Sequence, residues 1–322
     1  MLQDSHGRVH DYLRISLTDV CNLRCTYCMP EHPVFTPTAS MMSSEEVVSF
    51  SRFFVNHGVK KIRLTGGEPL VRSDFANILQ GISLLRSSGL EELTLTTNGI
   101  LLDRYIDALS AAQIRSVNVS LDTLLPERFQ AITRRDNFHK VLSNLHLLLD
   151  RNFKVKVNMV VMKGVNDDET VEFIRWTRDY PIHVRFIEFM PFAGNRWQDK
   201  RLIRSAELLD RASSFFDFEP LEGSPNDTAR AFRVIGFSGT FAFISTMSEP
   251  FCGGCNRIRL TADGKIKNCL FSRTEADLLS AIRSGGDVEQ LVKNAILTKE
   301  ASWGGQELFQ GSENRSMVAI GG

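Results

Sequence analysis

The sequence predicts an α/β protein: an incomplete, TIM-like barrel of six βα units followed by a C-terminal extension. Three observations carry that expectation. Short β-branched runs alternate with amphipathic stretches from about Tyr12 to Glu188. Chemically distinctive residues recur just after the expected strands, where parallel barrels place their functional groups. All six cysteines fall into two tight triplets, Cys21, Cys25 and Cys28 near one end and Cys252, Cys255 and Cys269 near the other.

The expected strands are Leu13–Thr18, Lys61–Thr65, Leu93–Thr97, Ser116–Leu121, Lys154–Val161 and His183–Glu188. The fifth alternates with period two, placing Val155, Val157 and Met159 on one face. Between strands, Ser43-x-x-Glu46 reads as a capping box opening a helix over Glu45–His57, and Gly58 stands where it stops. Asp74 is placed to cap Phe75–Ser87, with Gly89 just beyond. Helices over Phe138–Arg151 and Asp168–Asp179 complete the series, and such units imply right-handed crossovers. Cys21 then follows the first strand, Gly66-Gly67-Glu68-Pro69 the second, Thr97-Asn98-Gly99 the third, Ser120-Leu121-Asp122 the fourth and Met190 the sixth. Periodicity fades over Pro191–Lys200 and Pro220–Ala229, and a strand is expected at Thr240–Ile244. A division into residues 1–220 and 221–322 follows from this change of texture.

Composition excludes several function classes. Of 322 residues, 43% are apolar and 24% charged, as in a globular protein. Lys plus Arg equals Asp plus Glu at 38 each, which argues against a nucleic-acid-binding surface. No apolar run approaches the ~20 residues of a membrane span. The first residues lack the features of a signal peptide, so a cytoplasmic, reducing compartment is expected, where thiols ligate metals rather than pair.

Each cysteine set offers three thiolates, one short of a closed tetrahedral zinc site or a fully ligated cubane cluster, and so leaves a position open for a small molecule. For the first set, zinc would need a fourth ligand, and His32 is the only local candidate. The second set is compatible with a structural zinc knuckle or an auxiliary iron–sulfur cluster. Gly66 and Gly67, lacking Cβ atoms, would let backbone approach a ligand closely. Arg257 and Arg259, at i and i+2, form a fork suited to phosphate oxygens if their segment is extended. Arg14, Arg63, Lys156 and Arg185 lie on expected strands, where a charge is costly unless it faces a polar cavity. Together these cations point to an anionic substrate.

The C-x3-C-x2-C spacing, with Tyr27 inside it, resembles the radical S-adenosylmethionine (SAM) superfamily, and Gly66-Gly67-Glu68-Pro69 resembles that superfamily's GGEP motif. With Thr96-Thr97-Asn98-Gly99, Asn118–Asp122, Arg185–Met190, Phe251–Lys265 and the terminal Gly321-Gly322, the chain from about Asp4 onward is similar to the GTP 3′,8-cyclase family. Val20 departs from the Arg often found there, at no expected ligand position, and Ser213–Ser238 and Trp303–Arg315 match less well. The resemblance implies two [4Fe–4S] clusters. Cys21, Cys25 and Cys28 would hold the one that binds SAM; Cys252, Cys255 and Cys269 would hold the one that anchors GTP. A 5′-deoxyadenosyl radical would take hydrogen from C3′ of GTP, and the ribose radical would attack C8, giving 3′,8-cyclo-7,8-dihydro-GTP for molybdenum cofactor biosynthesis. It further implies SAM contacts at Tyr27, Gly67, Ser120 and Met190. GTP contacts would come from Arg14, Arg63, Thr96, Lys156, Arg185, Arg257, Ile258 (through its backbone) and Arg259. Gly321 and Gly322 would act inside the active site. A homodimer, a one-electron donor and a downstream pyranopterin-forming enzyme are the expected partners. The alternatives are another radical SAM enzyme with an auxiliary cluster acting on peptides, a non-catalytic iron–sulfur electron carrier, or a zinc-stabilised binding module.

Overall fold

The computed structural model describes residues 1–29, 32–195, 197–305 and 315–321. The expected strands form, with ends shifted by no more than two residues: β1 (Tyr12–Ser16), β2 (Lys61–Thr65), β3 (Glu92–Thr97), β4 (Ser116–Ser120), β5 (Lys154–Val161) and β6 (His183–Glu188). The C-terminal region adds β7 (Phe218–Pro220), β8 (Arg230–Val234), β9 (Thr240–Ile244), β10 (Arg257–Leu260), β11 (Lys265–Lys267) and β12 (Ala276–Asp277). All belong to one sheet, ordered β12-β11-β10-β1-β2-β3-β4-β5-β6-β9-β8-β7. β10 joins β1 in parallel and β9 joins β6 in parallel, so the C-terminal region flanks the six-unit partial barrel on both sides.

Side chains alternate across these strands. One face carries Leu13, Ile15, Ile62, Leu64, Leu93, Leu95, Val117, Val119, Val155, Val157, Val184 and Phe186, all buried. They share a core with Phe50 and Phe54 of the helix Ser44–Asn56, Ile78 and Ile82 of Phe75–Ser83, and Leu145 and Leu148 of Phe138–Asp150. The opposite face is largely polar. It presents Arg14, Arg63, Thr94, Thr96, Asn118, Lys156, Asn158 and Arg185. A TIM barrel fills its interior with branched apolar side chains; this one carries cations and amides instead.

The capping box forms as expected: Ser43 Oγ accepts from Glu46 N, and Glu46 returns a carboxylate to Ser43 N at 2.8 Å. Asp74 does not cap its helix. Its carboxylate is held by the Arg72 guanidinium at 2.7 and 2.9 Å, and the helix ends at Ser83, passing into a 3-10 turn over Leu84–Ser88. The last expected helix is likewise split, into a 3-10 turn at Asp167–Glu169 and α-helix at Thr170–Trp176. Helices at Leu102–Ala111, Pro126–Thr133 and Ser205–Ser213 were not anticipated, and Leu278–Ser284 and Val288–Leu297 form in the C-terminal region. No helix among the described residues is long and apolar enough to cross a membrane.

Buried carboxylates tie the loops at the C-terminal ends of the strands. Glu188, ending β6, accepts from the backbone N–H groups of Ser205, Met247 and Ser248 at 3.0, 2.7 and 2.9 Å, and from both serine hydroxyls. Glu68 accepts from Leu70 N, Asn98 N and Thr97 Oγ1 at 2.7–3.0 Å, joining the β2 loop to the β3 loop. Removing Glu188 would strand buried donors on two loops at once. Glu188→Ala is expected to lower the stability of the cluster-free protein by roughly 3 kcal/mol in urea denaturation. A loss below about 1 kcal/mol would mean that water replaces the carboxylate.

A candidate site on the polar inner face of the sheet

Strand register assembles the site. Arg259 of β10 pairs with Arg14 of β1, and Arg14 pairs with Arg63 of β2. Farther round, Asn118 pairs with Lys156, and Asn158 with Arg185. These side chains face a cavity of about 330 Å³ whose wall also includes Arg257, Met190, Cys252, Cys255 and Cys269. Tyr12 and Lys61 line it as well. Arg63 Nε donates to the Tyr12 hydroxyl at 2.5 Å, and its Nη1 donates to Thr96 Oγ1 at 3.2 Å.

The cations here are held at high electrostatic cost. Burial, then the nearby Arg259, lowers Arg14 well below the usual guanidinium range. Burial and Arg185 bring Lys156 down to about 8, burial and Arg63 bring Arg185 to about 9, and burial and Arg257 bring Arg259 to about 10. Tyr12 falls to about 8: burial would raise it, but Arg63, Arg14 and Lys61 outweigh that. Among the described residues, several buried polar atoms have no hydrogen-bond partner: the donors Arg185 Nε and Nη2 and Arg257 Nε, and the acceptors Asn118 Oδ1 and Asn158 Oδ1. The unpartnered guanidinium donors beside crowded cations suit a polyanion.

The first cysteine set lies on the loop leaving β1. Arg24 N donates to Thr133 O at 2.9 Å and Thr26 N to Ile132 O at 3.0 Å, fixing the loop to the helix Pro126–Thr133. The GGEP turn clamps its other side. Gly67 N donates to Thr18 O at 2.6 Å and Glu68 N to Val20 O at 2.9 Å. A Cβ on Gly67 would lie 2.5 Å from the carbonyl oxygens of Asp19 and Val20. The close approach expected for a ligand is thus made by the loop's own backbone. Burial, then Glu68, raises Cys21 to about 11; burial, then Cys21, raises Cys28 to about 12; burial, then Asp122, lifts Cys25 well above the usual thiol range. Cys21 Sγ accepts from Leu23 N at 3.4 Å and Asn98 Nδ2 at 3.8 Å. Three neighbouring half-buried sulfurs, one already receiving N–H donors, fit an iron–sulfur cluster whose positive charge would replace their protons. Tyr27 is half-buried; desolvation and then Asp122 hold its hydroxyl in the neutral form.

The second set differs electrostatically. Cys252 and Cys255 bound a 3-10 turn before β10, and Cys269 follows β11. Cys255 Sγ receives Lys299 Nζ at 3.4 Å and Arg257 Nη2 at 3.6 Å. Burial would raise this thiol, yet Arg257 and Lys299 bring it to about 7. Lys299 also donates to Arg257 O at 2.9 Å and lies 3.5 Å from His10 Nδ1; His10 Nε2 in turn lies 3.0 Å from Asp4 Oδ2. Among the described residues, no three His, Cys, Asp or Glu side chains close into a chelate for one metal ion.

The C-terminal tail reaches this cavity. After the short helix Met317–Ile320, Gly321 adopts φ +75° and its carbonyl accepts from Arg259 Nη1 at 2.6 Å. A Cβ there would lie 2.6 Å from Thr65 Oγ1 and 2.8 Å from Ser16 Cβ, so only glycine fits. Gly322 lies outside the described residues.

The expected substrate cations thus converge: Arg14, Arg63, Lys156, Arg185, Arg257 and Arg259 line one cavity, with Met190 and the second cysteine set. Thr96 is reached through Arg63. The Ile258 side chain is fully buried, in register with Leu13 in the apolar layer. Tyr27 and Gly67 belong to the surroundings of the first cysteine loop, and Ser120 ends β4 opposite Asn158. Sequence reasoning missed Tyr12, Lys61, Asn118 and Asn158, although each stands two residues from, or in register with, a residue it named. It also missed Asn226, Asp227 and Thr228, which line the cavity from a loop without periodicity.

Residues 15–177 match the radical SAM superfamily and residues 182–304 match Molybdenum Cofactor Synthesis C, so the fold is that of a radical SAM protein, a class built around a [4Fe–4S] cluster and SAM. The chain is 46% identical over 326 residues to molybdenum cofactor biosynthesis protein 1 of Mus musculus, covering 99% of this chain and 51% of that protein. It is 45% identical to the mitochondrial GTP 3′,8-cyclase of Arabidopsis thaliana, covering 100% and 84% respectively, and 42% identical to the GTP 3′,8-cyclase of Listeria monocytogenes, covering 93% and 91%. The chain therefore belongs to the GTP 3′,8-cyclase family of radical SAM proteins, while spanning about half the length of the animal relatives. Among solved structures, Streptococcus suis SuiB bound to its precursor peptide SuiA aligns with TM-score 0.60 at 12% identity, covering 97% of this chain and 66% of that one. Native anSMEcpe with bound AdoMet aligns at 0.51 and 19%, covering 64% and 60%. At these identities the likeness is one of fold.

The two cysteine sets should react differently in cluster-free protein. Cys255, lowered to about 7, becomes thiolate as pH rises through neutrality, whereas Cys25 stays protonated. Iodoacetamide labelling followed by peptide mass spectrometry should show Cys255 modification rising with a midpoint near pH 7, and Lys299→Met should move that midpoint upward. Equal labelling of Cys25 and Cys255 at pH 7 would contradict this electrostatic asymmetry.

Proposed function

We propose that this chain converts GTP into 3′,8-cyclo-7,8-dihydro-GTP, a step of molybdenum cofactor biosynthesis, using SAM and two [4Fe–4S] clusters. The observation that carries the reading is the cavity of crowded cations and unpartnered donors with three cysteines on its wall. Family membership supports the reaction type, because relatives over most of their length are named for it.

Cys21, Cys25 and Cys28 would hold the cluster that, with SAM and one electron, supplies a 5′-deoxyadenosyl radical. The chain's own contribution is placement and enclosure. Glu68 and the glycines fix the first loop, with Tyr27, Gly67, Ser120 and Met190 assigned to SAM. Arg14, Arg63, Lys156, Arg185, Arg257 and Arg259 would take the triphosphate and orient the ribose, with Thr96 steadying Arg63 and Ile258 lending its backbone. Cys252, Cys255 and Cys269 would hold the second cluster toward guanine, charge-supported by Lys299. Gly321 and Gly322 would close the cavity. The proposal extends to a cytoplasmic homodimer served by a one-electron donor and followed by a pyranopterin-forming enzyme.

Reconstituted protein incubated without oxygen with SAM, GTP and dithionite is expected to yield 5′-deoxyadenosine and the cyclised nucleotide, both lost in Cys25→Ala. Deoxyadenosine without consumption of GTP would sink the substrate assignment and favour a peptide modifier; neither product, with both clusters full, would favour an electron carrier. A chain lacking Gly321 and Gly322 should retain its iron and sulfide yet turn over roughly 100-fold more slowly. Unchanged turnover would remove the tail from the mechanism.

A further inference from the structure

The tail places Gly321 beside Ser16 and Thr65 at the C-terminal ends of β1 and β2, but a helix of four residues, Met317–Ile320, has almost no stability of its own. Its entry into the cavity must be fixed from outside. Immediately before it, Arg315 donates to both oxygens of Asp263, at 3.0 and 2.9 Å, and lies 2.7 Å from Glu275 Oε2. Asp263 also receives the Thr261 hydroxyl at 2.6 Å and sits in the turn between β10 and β11. The same hairpin carries Arg259, which grips the Gly321 carbonyl. Both ends of the inserted segment are thus pinned to one hairpin, and Ile320 packs between them against Met190, Phe192 and Phe271.

We propose that Arg315 is a positioning residue for the proposed GTP reaction: its paired grip on Asp263 and Glu275 sets how Gly321 is seated against Arg259 at the substrate cavity. The proposal rests on that functional reading, although the anchoring itself can be tested without it. Losing Arg315 leaves each carboxylate with a lysine, since Lys265 lies 3.3 Å from Asp263 and Lys267 3.3 Å from Glu275. The hairpin should therefore fold in its absence. A lysine at 315 would keep the charge but lose the two-pronged geometry.

The test compares Arg315→Met and Arg315→Lys in the 322-residue chain. Carboxypeptidase should release glycine and isoleucine from Arg315→Met about tenfold faster than from the parent, with Arg315→Lys between them. Turnover of Arg315→Met should fall toward that of the chain lacking Gly321 and Gly322, with the KM for GTP changing less than kcat. Combining the truncation with Arg315→Met should cost nothing more, because both remove the same placement. Parental release rates, or a truncation that multiplies the loss, would overturn the anchor. If the parent chain makes no cyclised product, the functional reading fails while the release rates still decide whether Arg315 holds the tail.

Discussion

The parallel pairing of β10 with β1 puts Arg257 beside Tyr12 and Arg259 beside Arg14, so the C-terminal third of the chain completes a cavity begun by the N-terminal strands. Neighbouring strands lie about 4.8 Å apart, which lines Arg259, Arg14 and Arg63 in one row across three of them. Like charges at about 5 Å repel by roughly 3 kcal/mol in an effective dielectric near 20. The apolar layer on the other face, from Leu13 through Phe243, supplies the burial that holds this row together. A polyanion in the cavity would offset that repulsion, so the crowding of the cations itself favours binding of negative charge.

The loops around that cavity are held by means independent of any cluster. Glu68 spans the β2 and β3 ends, Glu169 takes Thr123 Oγ1 and Leu124 N at 2.5 and 2.6 Å beyond β4, and Glu188 joins β6 to the segment after β9. Each carboxylate satisfies backbone donors that would otherwise be buried unpaired. Burial pushes Glu68 up to about 7, against its hydrogen bonds from Asn98, Thr97 and Leu70. The first cysteine loop rests directly on the Glu68 turn, so the hydrogen bonds that hold Glu68 hold that loop as well.

The strands of the barrel were legible because each combined a β-branched run with a turn or cap. Lys61–Thr65, Lys154–Val161 and His183–Glu188 form as read. The site was legible where it rested on residue type: cysteines in triplets, and arginines where a strand should be apolar. Tyr12, Lys61 and Asn158 escaped because aromatic, lysine and amide side chains on strands have many ordinary explanations; only the polar inner face makes them cavity residues. Asp74 misled because its neighbour Arg72 competes for the carboxylate. Asn226–Thr228 could not have been found, since the loop reaches the cavity by tertiary placement alone: Pro225 O would lie 2.4 Å from a Cβ on Gly254, bringing the loop against the second cysteine turn.

That close approach bears on how the cavity is bounded. One side is lined by Asn226–Thr228, whose loop abuts Gly254 through Pro225, and Gly321 packs beside Ser16 and Thr65 at the C-terminal ends of β1 and β2. Both contacts use glycine where any side chain would collide with backbone or with a strand residue. Among the described residues the tail engages Arg259 through Nη1, and a guanidinium has five N–H donors in a planar fork. That single bond leaves the Gly321 carbonyl and an anion able to share the same cation. The Gly321 carbonyl thereby orients one edge of the Arg259 guanidinium, fixing how that cation faces Arg14 and the cavity.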